Sequence, residues 1–318
     1  MITYIIRRLI HGFFIIIIVT VLVFSMMRML PGDPITLFLS ESEMEEITPE
    51  QIAVLKHKYG LDKPLIMQYI DWISHVARGD LGTSMISDTP VIEDLARVLP
   101  RTLHLGLTAF LISIIVGITV GVISAVRRGT WWDTVLTILA NLGITVPIFW
   151  MGILLIYIFG YYLDLLPIYG YTSPFKDFWL STKQSIMPIF CLSIIPIASG
   201  ARLTRSTMLE VIRQDYIRTA WAKGLRERSV IIRHTLKNAL LPVIIFKGMT
   251  FRHIFGGSVL IETVFNIPGM GRLTVDAIFN HDYPIVQSVL LFMAIIVVFV
   301  NLIIDFSYGW LDPRTRYE

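Results

Sequence analysis

Long apolar stretches separated by polar connections dominate the hydropathy pattern of this chain. A helix needs roughly 20 apolar residues to cross about 30 Å of hydrocarbon, and six stretches meet that length. The pattern therefore predicts an all-α polytopic membrane protein with six transmembrane helices. The predicted spans are residues 9–30, 102–126, 134–162, 186–208, 239–262 and 285–308.

Prolines interrupt the third and fourth predicted spans. Pro147 lies inside the third span and predicts a tilted or broken helix, and Pro188 and Pro196 fall in the fourth.

The first apolar run follows basic residues, as in a signal peptide. It is too long for a signal peptide and no cleavage motif follows it, so a retained helix is expected.

Basic residues occupy every second connection, which predicts the orientation. Segment 202–237 alone carries nine basic residues against three acidic ones. Six spans with both termini in the cytoplasm place all the basic stretches on the inner side. The other basic stretches on that side carry Arg7, Arg8, Arg127, Arg128, Arg314 and Arg316.

Segment 31–100, the outer segment, falls on the opposite side and carries twelve acidic and five basic residues. Residues 49–59 and 64–78 have helical spacing. The segment is either a solvated cap or a docking surface for an external partner, and we favour docking.

Composition narrows the possible functions. Hydrophobic residues make up 54% of the chain and charged residues 16%, against about 25% in soluble domains, with a mean hydropathy of +0.68. A soluble enzyme, a disordered protein and a nucleic-acid binder are thereby excluded. We find no P-loop, H-E-x-x-H, C-x-x-C or G-x-S-x-G motif and only scattered histidines, so no catalytic, cofactor or metal site is expected. Cys191 is predicted to be a small buried hydrophobe.

The basic segment contains a short amphipathic pattern. Ile212, Tyr216 and Ala220 share a helix face, Ile217 and Trp221 form an adjacent strip, and a glycine at 224 suits a left-handed helix end. Such a helix either lies on acidic lipids or docks into a groove of another protein.

Here the chain resembles the permeases of ATP-binding-cassette (ABC) importers, in the form found in the dipeptide/oligopeptide/nickel family. The resemblance is carried by Asp215–Leu225 and Arg233–Pro242 and extends over essentially the whole chain, with the long outer segment of the first (B-type) subunit. Further matching motifs lie at 30–34, 60–65, 79–84, 99–103, 262–272, 282–284 and 301–305.

The resemblance implies a type I ABC importer permease fold in the prokaryotic cytoplasmic (inner) membrane. It implies a homologous second permease, two cytoplasmic ATPases that bind ATP and Mg, and an extracytoplasmic binding protein. The chain itself is then no enzyme. Expected divisions are an N-terminal helix and outer segment (1–97), the transmembrane domain (98–309, coupling segment about 211–226) and a tail (310–318).

Coupling to the ATPase is the role that the resemblance implies for the amphipathic helix. General importers have Glu-Ala-Ala where this chain has Arg218-Thr219-Ala220, a departure that bears on which ATPase is the partner. The implied coupling residues are Asp215, Tyr216, Arg218, Thr219, Ala220, Lys223, Gly224 and Leu225.

Charged and turn-forming residues suggest two further sites. Arg252 and His253 in span five either line the translocation path or gate, or pair with the sister permease, whereas Lys247 is expected to snorkel. Pro268, Gly269, Met270 and Gly271 predict a tight outer turn, either a gate element or a simple loop.

Short peptides are the favoured substrate, with nickel or a metal chelate as the alternative in the same architecture. The alternative from another class is an ATP-independent secondary transporter, which would be expected to show inverted repeats or paired intramembrane carboxylates.

Overall fold

The computed structural model describes residues 2–29, 48–58 and 60–311, and within these ranges the chain is helical and forms no β-strand. The helices are α1 (Ile2–Met29), α2 (Pro49–Lys58), α3 (Leu65–Ala77), α4 (Val91–Val126), α5 (Trp131–Thr145), α6 (Ile148–Leu155), α7 (Phe178–Val211), α8 (Asp215–Ala222), α9 (Lys237–Val264), α10 (Met270–Phe279) and α11 (Tyr283–Leu311). A π-helical segment, Ile156–Tyr162, extends α6. A short helical turn, Glu227–Ser229, and a second π-helical segment, Val230–Leu236, lead into α9.

The apolar helices agree with the predicted spans. Within the described ranges, five helical stretches are long and apolar enough to cross a membrane, and α5 with the extended α6 makes a sixth as a bent pair. The bend is 104° and falls at Pro147, because the residue before a proline disfavours helical backbone angles. The predicted break of the third span is confirmed. By contrast, α7 runs without interruption through Pro188 and Pro196, which are both buried.

The chain divides into two compact units, each with its own core. The N-terminal unit comprises Ile2–Pro100 and Gly269–Leu302, and the central unit comprises Arg101–Pro268 and Ile303–Glu318. In the central unit the main core joins α4, α6, α7 and α9, and Cys191 is fully buried there, as predicted. In the N-terminal unit the core joins α1, the 81–85 loop, the start of α4, α10 and α11.

The two helices predicted in the outer segment are confirmed as α2 and α3. In the N-terminal unit α3 packs on α1, where the Thr20 and Tyr69 hydroxyls lie 2.9 Å apart and the Phe24 ring contacts Tyr69 and Trp72. Residues 30–47, which complete the start of this segment, lie outside the described residues.

A buried carboxylate anchors the loop between α3 and α4. Asp282, immediately before α11, accepts a 2.5 Å hydrogen bond from Ser84 Oγ and lies 3.4 Å from the backbone nitrogens of Met85 and Ile285. Both Ser84 and Asp282 are almost fully buried. The contact joins positions 198 residues apart within the N-terminal unit.

Replacing Ser84 with alanine is expected to loosen this loop. The variant removes the shortest hydrogen bond to the buried Asp282 carboxylate, at a cost of about 1–3 kcal/mol. Limited proteolysis should cleave the 79–90 loop several-fold faster than in the parent. Ser87→Ala is the matched control, since Ser87 is exposed and its hydroxyl hydrogen-bonds, among the described residues, only to Thr89 Oγ1 at 2.6 Å. Equal cleavage rates for both variants would contradict the anchoring role.

Candidate functional site

The short helix α8 forms where local signals favour it. Gln214 has an extended backbone before the first turn, and Asp215 in that turn complements the positive end of the helix dipole. The helix ends at Ala222, Lys223 is its C-cap, and the next residue, Gly224, has a φ of +73°. Glycine adopts this left-handed conformation without steric cost, so the predicted helix end is confirmed.

One face of α8 is held by the central unit itself. Ile217 and Ala220 are buried and form a small core with Val230, against which Val211 packs. Ala220, one of the predicted coupling residues, therefore contacts its own chain. The Tyr216 hydroxyl also accepts a 2.8 Å hydrogen bond from Asn238 Nδ2, which links α8 to the start of α9. The helix is thus anchored on one side only.

The remaining surface of α8 is open. Beside the buried face, Tyr216 is 46% exposed and Trp221 is 45% exposed. Asp215 and Arg218 lie 3.6 Å apart as a fully solvated pair, so they add little rigidity. The other predicted coupling residues on exposed positions are Thr219, Lys223, Gly224 and Leu225.

A cavity of about 300 Å³ lies beside α8 in the central unit. Ile217 and Trp221 of α8 line it, together with Leu209 and Ile212 from the end of α7. The cavity leaves space on one side of α8, between this helix and the ends of its neighbours.

A polar network that sequence reasoning missed ties the neighbouring helix ends together. Asp133 in the first turn of α5 accepts two hydrogen bonds from Arg205 of α7, at 2.8 Å from Nε and 2.9 Å from Nη2. Ser124 Oγ donates to the same carboxylate at 2.5 Å and the Gly129 backbone N–H at 3.1 Å. This buried carboxylate therefore has four donors and joins α4, the following turn, α5 and α7.

The buried position of the Lys247 side chain contradicts the prediction that this side chain snorkels to the membrane surface. Its side chain is 2% exposed, and its amine donates to Pro196 O at 2.6 Å, Ser113 O at 2.9 Å and Ser113 Oγ at 3.3 Å. Three acceptors match the three protons of an ammonium group. The amine fits because Gly200 faces it, where an added Cβ would lie 2.6 Å from Nζ. Three oxygen acceptors on α4 and α7 thus replace the water that snorkelling would have reached.

Comparison with known proteins identifies the family. Residues 117–317 match the family model described as "Binding-protein-dependent transport system inner membrane component", and residues 1–106 match the N-terminal model of the same systems. The chain belongs to this permease family. The predicted resemblance is therefore confirmed, and the permease is a multi-pass membrane subunit of an ABC transport system.

Curated relatives align over nearly their full length. The permease is 37% identical over 337 residues to the dipeptide transport system permease protein DppB of Alkalihalophilus pseudofirmus, with all of both chains covered. It is 40% identical over 323 residues to the dipeptide transport system permease protein DppB of Escherichia coli, with 94% of each chain covered.

Solved structures confirm the fold. The MetNI methionine ABC transporter in an inward-facing conformation aligns with a TM-score of 0.56 at 16% identity, covering 70% of the permease and 97% of that chain. An amino acid ABC transporter crystallised with histidines aligns with a TM-score of 0.51 at 13% identity, covering 75% and 97%. The predicted type I ABC importer permease fold is therefore confirmed.

The residues predicted for the gate lie on α9, and those predicted for the outer turn lie at the start of α10 and just before it. His253 is exposed on α9, and the Arg252 side chain lies outside the described residues, so their role at a gate stays a prediction. Pro268 and Gly269 are irregular, but Met270 and Gly271 are buried in the first turn of α10, so the predicted turn is shorter than expected. Arg101 Nη1 donates to Pro268 O at 2.8 Å and fixes the end of this turn.

Glu262 adds a buried contact on the same side of the central unit. Its Oε1 accepts a 2.7 Å hydrogen bond from Thr102 Oγ1, and both side chains are fully buried. Among residues 2–29, 48–58 and 60–311, no three His, Cys, Asp or Glu side chains lie close enough to hold a metal ion.

Proposed function

We propose that this permease forms, with a homologous second permease, the translocation path of an ATP-driven importer of short peptides. An extracytoplasmic binding protein delivers the peptide, and two cytoplasmic ATPases, which bind ATP and Mg, supply the energy. The names of the aligned relatives support peptides as the substrate class. The prokaryotic inner membrane is the proposed location, with both termini in the cytoplasm because the basic connections favour that side.

The half-exposed face of α8 is the observation that carries the coupling proposal. A helix anchored by Ile217 and Ala220 transmits force to the central unit, and exposed aromatic and basic side chains suit the groove of a partner protein. We assign the ATPase contact to Tyr216, Arg218, Thr219, Lys223, Gly224 and Leu225, with Asp215 in the first turn and Ala220 as the anchor. The half-exposed Trp221 extends this contact. Arg252 and His253 are proposed for the path or gate, and Pro268–Gly271 for its outer end.

Uptake by the complete complex in proteoliposomes tests the substrate. With the binding protein outside and ATP inside, we expect radiolabelled dipeptides to pentapeptides to accumulate and nickel to remain outside. Accumulation that needs no ATP would overturn the proposal in favour of a secondary transporter. ATP-dependent accumulation of nickel without peptide would keep the architecture and overturn the substrate class.

Trp221→Ala tests the coupling face. Loss of an exposed aromatic anchor at a protein interface costs about 2 kcal/mol or more, so ATP-driven uptake should fall by roughly tenfold or more while the permease pair stays folded. Trp132→Ala is the matched control, since Trp132 is 47% exposed but lies on α5. Equal uptake by the two variants would remove α8 as the contact. Co-purification with the ATPases reports assembly independently.

A further inference from the structure

A cavity of about 370 Å³ lies wholly within the N-terminal unit. Its walls are the end of α1, helix α3, the loop that follows α3 and the start of α11. This volume is in the range of small-ligand sites, which is about 300–1,000 Å³. In the proposed orientation the cavity lies on the extracytoplasmic side, where solute arrives. None of the predicted functional residues lines it.

Three polar atoms in the lining residues are buried and make no hydrogen bond within the described ranges. They are Arg28 Nε, Gln68 Oε1 and Gln287 Nε2. The two glutamine side chains are 9% and 6% exposed. Buried polar groups nearly always have a partner, so three such atoms around one cavity indicate that something polar completes them.

The orientation of the Gln68 amide is set by its neighbours. Its Nε2 donates to Lys63 O at 2.7 Å and to Leu61 O at 3.2 Å, so the acceptor oxygen is the atom left free. Gln287 leaves a free donor nitrogen. One free amide acceptor and one free amide donor are the complement of the N–H and C=O of a single peptide group.

Among the described residues that line the cavity, Arg28 is a cation without an acidic partner. Three acid–base pairs line or border it: Lys63–Asp71 at 2.6 Å, His75–Asp80 at 3.0 Å and His57–Asp62 at 2.7 Å. The Gly82 backbone N–H and the ring of His75 lower the pKa of the Asp80 carboxyl, which keeps it ionised. Arg28 contacts the face of Phe24, with the guanidinium carbon 5.2 Å from the ring centre, and has no acidic partner within the described ranges.

Aromatic rings complete the walls. Phe24, Trp72 and Tyr283 all line the cavity, and the Phe24 and Trp72 rings stack at 6.1 Å. An arginine beside aromatic rings suits a carboxylate that carries a neighbouring apolar side chain. Among the described residues, an arginine without an acidic partner, an unpaired amide donor, an unpaired amide acceptor and an apolar wall together match the last residue of a peptide.

We propose that this cavity binds the C-terminal end of a short peptide, with Arg28 on the carboxylate and Gln68 and Gln287 on the last peptide group. Trp72 and Tyr283 contact the final side chain. The inference rests on the proposed import of peptides and adds a peptide site on the permease itself. The permease then holds the peptide after the binding protein has released it.

Equilibrium dialysis of the complete transporter tests the site. The complex is placed in phosphatidylcholine nanodiscs without ATP and without the binding protein, and the probes are alanyl-phenylalanine and its C-terminal amide. The amide should bind at least about tenfold more weakly than the free acid. Arg28→Gln should weaken binding of the acid by a similar factor and leave binding of the amide unchanged.

Two further variants separate binding from folding. Arg78→Gln is the matched control, because Arg78 is exposed in the same segment and does not line the cavity. It should bind the acid as the parent does. Gln287→Leu should weaken binding of the acid and the amide alike, since it removes a contact to the peptide group rather than to the carboxylate. Size-exclusion profiles establish that each variant assembles.

Several outcomes would overturn the proposal. Equal affinity of the parent for acid and amide would do so, as would equal effects of Arg28→Gln and Arg78→Gln. A phospholipid seen by native mass spectrometry in the parent, lost in Arg28→Gln and not displaced by the dipeptide would assign the cavity to a headgroup instead. If one of these outcomes is found while ATP-driven peptide uptake persists, the proposed peptide site is wrong and the proposed function of the permease stands. Absence of both uptake and binding removes both.

Discussion

Replacing Asp133 with alanine is expected to lower the free energy of unfolding of the permease by about 2–4 kcal/mol. The change leaves Arg205 without its two hydrogen bonds and removes the acceptor for Ser124 and Gly129. Loss of one partner from a fully buried pair costs about 3–5 kcal/mol, and the expected value is lower because Arg205 keeps 32% exposure. Thermal unfolding of the purified complex in detergent measures the effect.

Two controls separate this network from a general loss of charge. Asp215→Ala removes a carboxylate from the solvated pair with Arg218 on α8 and should change the unfolding temperature far less than Asp133→Ala does. The double variant Asp133→Ala/Arg205→Met removes both charges and should recover part of the loss. If the double variant is less stable than Asp133→Ala by the full cost of a second independent change, the two residues do not act as a pair.

Gly121→Ala is expected to force α4 and α7 apart. A Cβ at this position would lie 2.5 Å from Thr204 Cβ and 2.6 Å from the Ala201 carbonyl oxygen, so a backbone atom as well as a side chain has to move. Small residues permit such close helix approach in membranes. Overpacking of this kind costs about 1–3 kcal/mol, and the yield of folded complex and its thermal midpoint should both fall.

Gly256→Ala is the control for this prediction. Gly256 also lies inside a membrane helix, α9, but an added Cβ would meet nothing within 4 Å. The stability of the Gly256→Ala variant should equal or slightly exceed that of the parent, because alanine favours helix more than glycine does. Equal losses for the two variants would contradict a specific role for the contact between α4 and α7, because helix propensity favours alanine at both positions.

Hydropathy and local chemistry predicted most of the secondary structure. The six apolar spans, the bend at Pro147 and the helix end at Gly224 follow from signals that act within a few residues: apolar length, proline sterics and glycine backbone freedom. The continuous course of α7 through Pro188 and Pro196 shows the limit, since packing in a buried position outweighs the local preference for a break.

For the candidate site, too, the sequence predicted the position of the helix but not which of its side chains are buried. The amphipathic pattern and the family motifs pointed to α8, but the pattern could not tell which apolar residues would be buried. Ile217 and Ala220 turned inward, while Tyr216 and Trp221 remained half exposed. That choice depends on Val230, which follows in the chain but folds back over α8.

The sequence by itself determined the membrane class, the number of spans, the family and the position of the short helix, because these follow from composition, periodicity and contiguous motifs. Only the tertiary structure decided which polar groups meet. Asp133 and Arg205 are 72 positions apart, and Lys247 finds its acceptors at Ser113 and Pro196. Long-range pairing depends on how the helices pack against each other, and the residue types alone do not determine that packing. The same reason explains why the cavity around Arg28 emerged only from the folded chain.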